Sequence, residues 1–143
     1  MRRIAVFTVI ALASPAWALD YLSVAEPAAM FDAPSQKARA LFAIAAGTPV
    51  EAVVTLDAWV KVRDPKGDLA WIEKRFVSQK RTVMVKVDRA QVYAQADEKS
   101  PLVFEAARDV VLEFVEPGPM GWAKVRHRDG QGGFVKASQV WGL

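Results

Sequence analysis

Two stretches of this chain repeat one another. Trp59-Val60-Lys61-Val62-Arg63 is followed by Gly67 and then Trp71-Ile72. Trp122-Ala123-Lys124-Val125-Arg126 is followed by Gly130 and then Phe134-Val135, at a constant offset of 63 residues. Upstream the offset is 62: Met30-Phe31 matches Val92-Tyr93, Phe42 matches Phe104, and Pro49-Val50-Glu51 matches Val111-Leu112-Glu113. One extra residue in the Pro117–Gly121 turn accounts for the step. A period of about 62 residues constrains the fold more than any bulk property. Two units are too few to stack as a solenoid, so each unit must close on itself.

Within a unit the apolar residues alternate. Val60 and Val62 fall out of phase with Trp59, Lys61 and Arg63, and Val50, Ala52 and Val54 alternate against Glu51. In the second copy Val83, Val85 and Val87 alternate with Met84, Lys86 and Asp88. This is the period-2 pattern of half-buried strands. Asp64-Pro65-Lys66-Gly67 and Arg128-Asp129-Gly130 read as hairpin turns, with glycine supplying a positive φ. Pro117-Gly118-Pro119 is a further turn. The Ala-rich segment 36–46 is the best helical candidate, but Pro101 in its second-copy counterpart opposes a helix. Both are read as loop plus short strand. The chain is therefore all-β, a sandwich or barrel of short strands in each copy. A unit this small is marginal alone, and the Ser78–Arg81 linker has no Gly or Pro. The copies are expected to pack together at a defined angle.

The N-terminus follows another logic. Arg2 and Arg3 precede an apolar run from Ile4 to Ala13, and Ala16-Trp17-Ala18 offers small residues at the positions a signal peptidase reads. Residues 1–18 are expected to be a Sec-type signal peptide cleaved between Ala18 and Leu19, with repeat units at 19–80 and 81–143. The run is too short to span a bilayer. The segment carries two Arg and no acid, so its removal lowers the net charge from +3 to +1. Near neutrality gives no argument for a nucleic-acid partner. The chain has no cysteine, which rules out disulfides, thiolate metal sites, a cysteine nucleophile and lipid attachment at an N-terminal Cys. The expected location is periplasmic or secreted, with no transmembrane segment in the mature form.

The order of Gly or Pro turn, Trp-x-Lys-Val-Arg, Gly-containing turn, Trp/Phe-Ile/Val and a closing segment ending in Val77 or Val140 resembles the bacterial SH3 (SH3b-like) domain. Both copies fit, from Trp59 to Val77 and from Trp122 to Val140. The resemblance implies two tandem SH3-like β-barrels of about five short strands each. It places a single 3₁₀ turn before the last strand, near Arg75-Phe76-Val77 and Ser138-Gln139-Val140. It also implies peptide binding on an aromatic groove: Phe31, Trp59, Trp71 and Phe76 in copy one, and Tyr93, Trp122 and Phe134 in copy two. Gln139 stands where a fourth aromatic is expected. Glu73 and Lys136 replace a proline typical of eukaryotic members, which argues against polyproline ligands.

The residues themselves leave two readings open. Trp59 and Trp122 are large rings suited to a peptide or sugar, or they cover the barrel mouth or the seam between copies. Lys61, Arg63, Lys124 and Arg126 share their strand face and, with His127 and Arg128, form a basic stripe. It offers partners for carboxylates or is a solvated strand face. His127 is the sole histidine and has no companions at zinc-ligand spacing. No serine sits in a Gly-x-Ser-x-Gly elbow, and Gly130-Gln131-Gly132-Gly133 lies between strands, as a hairpin and not a phosphate loop. No catalytic residue, metal or cofactor is expected. The function classes that survive are a non-enzymatic adaptor for a peptide, peptidoglycan stem or envelope protein, and a structural component of an envelope assembly with no ligand groove.

Overall fold

The computed structural model describes residues 20–143. The expected signal segment, with Ala18 and Leu19, lies outside them. Copy one contributes β1 (Asp20–Val24), β2 (Ala28–Phe31), β3 (Ala40–Ile44), β4 (Pro49–Thr55), β5 (Trp59–Arg63), β6 (Leu69–Glu73), a 3₁₀ turn at Lys74–Phe76 and β7 (Val77–Ser78). Copy two contributes β8 (Thr82–Val85), β9 (Arg89–Tyr93), β10 (Leu102–Ala107), β11 (Val111–Pro117), β12 (Trp122–Arg126), β13 (Gly132–Lys136), a 3₁₀ turn at Ala137–Gln139 and β14 (Val140–Trp141).

Each copy is one antiparallel seven-stranded sheet, ordered β3-β2-β6-β5-β4-β1-β7 and β10-β9-β13-β12-β11-β8-β14. The two orders are the same under the repeat, and the sheets are separate. Each sheet has seven strands where about five were expected; one of the additional strands in each, β7 or β14, is two residues long, too short to carry a sequence period. They close against β1 and β8 through Ser23↔Ser78 and Val140↔Val85. The offset has a third value here: the equivalent Val24 and Val85 amides, 61 residues apart, bond the Thr48 and Val110 carbonyls, which keep the offset of 62.

Alternation sets the two cores. Val60, Val62 and Ile72 are buried in copy one with Met30, Val50 and Ile44, and Ala123, Val125 and Val135 in copy two with Val92, Leu112 and Ala106. Val54 departs from the expected pattern and is 40% exposed. A register shift between Ala52 and Val54 breaks the alternation there, and copy two has the same shift between Phe114 and Glu116. Such bulges bend a strand, and here both bends fall at equivalent points. Segments 36–46 and 98–104 are loop and strand, without helix. Gly67 and Gly130 take φ of 92° and 96° in the hairpin turns, as those turns require.

The copies meet along a polar and aromatic seam. Thr82 Oγ1 donates to the Gly47 carbonyl at 2.7 Å, and beside it, within copy one, Ser23 Oγ donates to the Lys80 carbonyl at 2.6 Å. The Tyr21 and Trp141 rings meet edge-to-face at 5.3 Å. Burial, and Glu51 beside it, push the Tyr21 phenol above its ordinary value, against a smaller opposing effect of Arg81. No helix among the described residues is long and apolar enough to cross a membrane.

Candidate functional site: paired aromatic faces

The central strands β5 and β6 direct one set of side chains inward and the other outward. Residues opposite one another in an antiparallel ladder share a face. Trp59 pairs with Glu73 and Lys61 with Trp71, while Phe31 of β2 pairs with Trp71. Phe31, Trp59, Trp71, Lys61 and Glu73 therefore share the outer face of copy one. Phe31 and Trp59 pack edge-to-face with centroids 5.5 Å apart, a favoured geometry for aromatic pairs. All three rings are half-buried.

Copy two repeats this with other side chains. Trp122 pairs with Lys136, Lys124 with Phe134, and Phe134 with Tyr93. Tyr93 and Trp122 meet edge-to-face at 6.1 Å. The structure thus brings together three of the four ring residues expected in copy one and all three in copy two. Trp59 and Trp122 each stack on a ring of their own copy. Phe76 is different: it packs against the copy-one core, with the Arg75 guanidinium 4.2 Å above its ring. Its counterpart Gln139 accepts a hydrogen bond from the Gln91 amide at 3.3 Å.

The strand ends carry opposite charge. Gln36 Nε2 donates to Glu73 Oε1 at 2.9 Å, and Arg75 reaches the other oxygen at 3.4 Å. The Gln36 hydrogen bond holds the Glu73 carboxyl below its ordinary value against an opposing desolvation effect, with Arg75 adding to the lowering. In copy two the equivalent positions hold an ion pair between Glu98 and Lys136.

The basic stripe divides. Arg63 faces Glu51 at 3.6 Å and Lys124 faces Glu116 at 3.8 Å. Exposed pairs of this kind contribute at most about 1 kcal/mol, but they remove net charge from the face. Lys61 and Arg126 have no ion-pair partner among the described residues. Arg126 lines a cleft of about 680 Å³ between the copies, together with Lys80, Glu113, His127 and Arg128. A second cleft, of about 530 Å³, is lined by Phe42, Asp64, Asp68, Met84 and Asp109. These concavities escaped the sequence reading. They exist only where the copies meet, and no local pattern reports a seam. Among the described residues no three His, Cys, Asp or Glu are grouped to hold a metal ion.

His127 occupies the turn position of Asp64. Asp64 Oδ1 accepts the Lys66 and Asp68 amides at 3.0 and 2.9 Å. In copy two this work is shared: His127 Nδ1 accepts the Asp129 amide at 3.2 Å and Asp129 Oδ1 the Gln131 amide at 2.9 Å. The Gln131 amide, and then His127, hold the Asp129 carboxyl below its ordinary value. His127 is thus a turn residue.

Among solved structures the chain is similar to NlpC2 and NlpC1 from Trichomonas vaginalis, at 11% and 12% identity and a TM-score of 0.40 for each. These matches cover 88% and 96% of this chain and 49% and 51% of the other. It is also similar to an NlpC/P60 family protein from Bacillus cereus, at 15% identity and a TM-score of 0.38, covering 84% of this chain and 55% of that one. The chain spans about half the length of these proteins. A search of curated proteins found no match. The model of the bacterial SH3 domain matches twice, over residues 24–79 and 86–142. With all but the first strand of each sheet covered and the 3₁₀ turns where the resemblance placed them, the chain belongs to the bacterial SH3 domain family and carries that domain in tandem.

Proposed function

We propose that this protein is a non-enzymatic adaptor of the bacterial envelope, exported by residues 1–18, that holds a peptide, either a cell-wall stem or a segment of an envelope protein, on its aromatic faces. The observation that carries this reading is the edge-to-face pair of half-buried rings, Phe31 on Trp59 and Tyr93 on Trp122, kept on the same outer face of both copies. Rings that served only to fill a core would be fully buried, as Val60 and Val62 are. A pre-packed indole gives a ligand a large contact area at little entropic cost. Family membership supports a binding module over a catalyst. The competing structural role draws support from the ion pairs that neutralise half of the basic stripe and from the position of the two clefts at the seam, away from the rings.

Co-sedimentation of the purified protein with isolated peptidoglycan, beside affinity capture from envelope extract, tests the reading. Wild-type protein should be retained by one of these, and a Trp59→Ala/Trp71→Ala variant that remains folded should not. Retention unchanged in the folded variant would assign the rings to scaffold. Mass spectrometry of secreted or periplasmic material should show Leu19 as the first residue. An intact Met1 form as the main soluble species would refute export by this route.

A further inference from the structure

The cleft between the copies belongs to neither domain alone. The Thr82–Gly47 hydrogen bond of 2.7 Å joins the copies at the cleft, and Lys80 on its wall is held within copy one by the Ser23 hydroxyl at 2.6 Å. Its walls are charged unequally. Lys80 lies 3.7 Å from Glu113, so these two largely cancel. Arg126 and Arg128 have no acidic partner among the described residues, and both line the cleft. His127 stands between them, its Nδ1 engaged by the Asp129 amide and 3.1 Å from the Asp129 carboxylate. Copy one has Asp64 and Pro65 where copy two has His127 and Arg128, and its own turn lines the other, acidic cleft. The excess positive charge is therefore particular to this cleft.

We propose that the cleft is an oxyanion site that takes a carboxylate of a peptide ligand, gripped by Arg126 and Arg128. A planar guanidinium matches a carboxylate with two parallel hydrogen bonds. The backbone across the cleft is already fixed by the Thr82–Gly47 bond, so the ligand has to order only the arginine side chains. The assignment deepens the adaptor reading and rests on it for the choice of a peptide: the rings would hold the apolar part and the cleft an acidic end.

The test uses the purified protein and a short peptide with two glutamates and a free C-terminus, followed by NMR or calorimetry. The same peptide with every carboxylate amidated, and inorganic phosphate, are the comparison probes. The acidic peptide should bind, perturb the amides of Gly47 and residues 126–128, and weaken with added salt. The amidated peptide should not bind. Arg126→Glu combined with Arg128→Glu should lose at least about tenfold in affinity, as expected when a charged hydrogen bond is removed. Lys37→Glu combined with Lys99→Glu, an equal charge change outside the cleft, should bind as wild type. Both arginines are exposed, so the fold should survive, and Arg126→Gln with Arg128→Gln provides a milder version. Equal affinity in the arginine variants, or no binding of the acidic peptide, overturns the proposal. Phosphate binding tighter than the peptide overturns the carboxylate assignment. Loss of peptide binding in Trp59→Ala with unchanged affinity in both arginine variants would move the site to the rings, defeating the cleft while leaving the adaptor reading standing.

Discussion

The two copies share one backbone plan and differ in what they hang on it. Their strand orders agree, their bulges fall at equivalent points, and even their turn hydrogen bonds recur. Their cores do not match. Copy one fills its interior with Met30, Ile44 and Ile72, where copy two has the smaller Val92, Ala106 and Val135. Copy two offsets this with Leu112 in place of Val50, and with Phe104 and Phe114 packed against its core. Copy one instead uses Phe76. The fold therefore constrains total apolar volume and pattern more than the identity of any one side chain. The outer faces have separated further: two indoles and a Glu73 end in copy one, one indole and a Lys136 end in copy two.

The sharpest test of this contrast is Gly133→Ala. A Cβ at Gly133 would sit 2.4 Å from the Tyr93 carbonyl oxygen, a backbone atom that cannot swing aside. The cost should be about 3 kcal/mol or more, the upper range of overpacking. The equivalent position in copy one already holds the buried Ala70, and Ala70→Gly should cost only about 0.5–1 kcal/mol. Denaturant melts of both variants read this directly, and similar losses would show that the copies tolerate volume alike.

Next in size is Phe76→Ala. A core role predicts a loss of about 2–3 kcal/mol, below the value for a fully buried ring, with ligand retention unchanged in the folded fraction. Gln139→Ala should cost less than about 1 kcal/mol. A fall in retention without a fall in stability would return Phe76 to the groove.

Third comes the asymmetry of the faces. Trp59→Ala should weaken ligand retention by about 2 kcal/mol, roughly thirtyfold, as central aromatic anchors do. Trp122→Ala should weaken it less, because copy one keeps both its indoles. Equal losses would mean that the faces act alike.

The smallest effect is a titration. Glu73 has a depressed carboxyl, so its contribution to stability is present above its unfolded value and is lost as pH falls through the lower folded value. Gln36→Ala removes the main cause, and the Glu73 midpoint should rise toward the ordinary 4.5. NMR titration of the side-chain carboxyl would show this, and an unmoved midpoint would shift the cause to Arg75.

Much of this was legible in the residues. The period-2 valines identified β4, β5 and β8, the repeat carried that reading to β11 and β12, and glycine located both hairpin turns. The outer-face grouping of Trp59, Lys61 and Arg63 follows from alternation alone. Alternation misled at Val54, because a bulge adds a residue that no pattern announces. It could not see β7 and β14, which are shorter than one full period. Phe76 was read with the groove, since a ring after a 3₁₀ turn carries no phase. Gly133 looked like hairpin slack, yet it marks a close approach of two strands that are distant in sequence. Asp109, the one non-glycine residue with positive φ among those described, stands where copy one has Gly47. Only the step in offset from 62 to 61 before β9 reveals how the first strands correspond.

The Arg81 side chain has a consequence for larger ligands. Its guanidinium lies over the Tyr21 ring of the first domain at 5.5 Å and the Phe114 ring of the second at 4.9 Å, and donates to the Gly142 carbonyl at 2.7 Å. One cation thus clasps three parts of the chain, and the spacing of the two aromatic faces becomes a fixed length. On the adaptor reading, such a length would act as a gauge against a repeating polymer. With one face seated, the other would meet the next unit at an effective concentration set by geometry. Polymers whose repeat matched the gauge would be held by both faces, and those out of step by one.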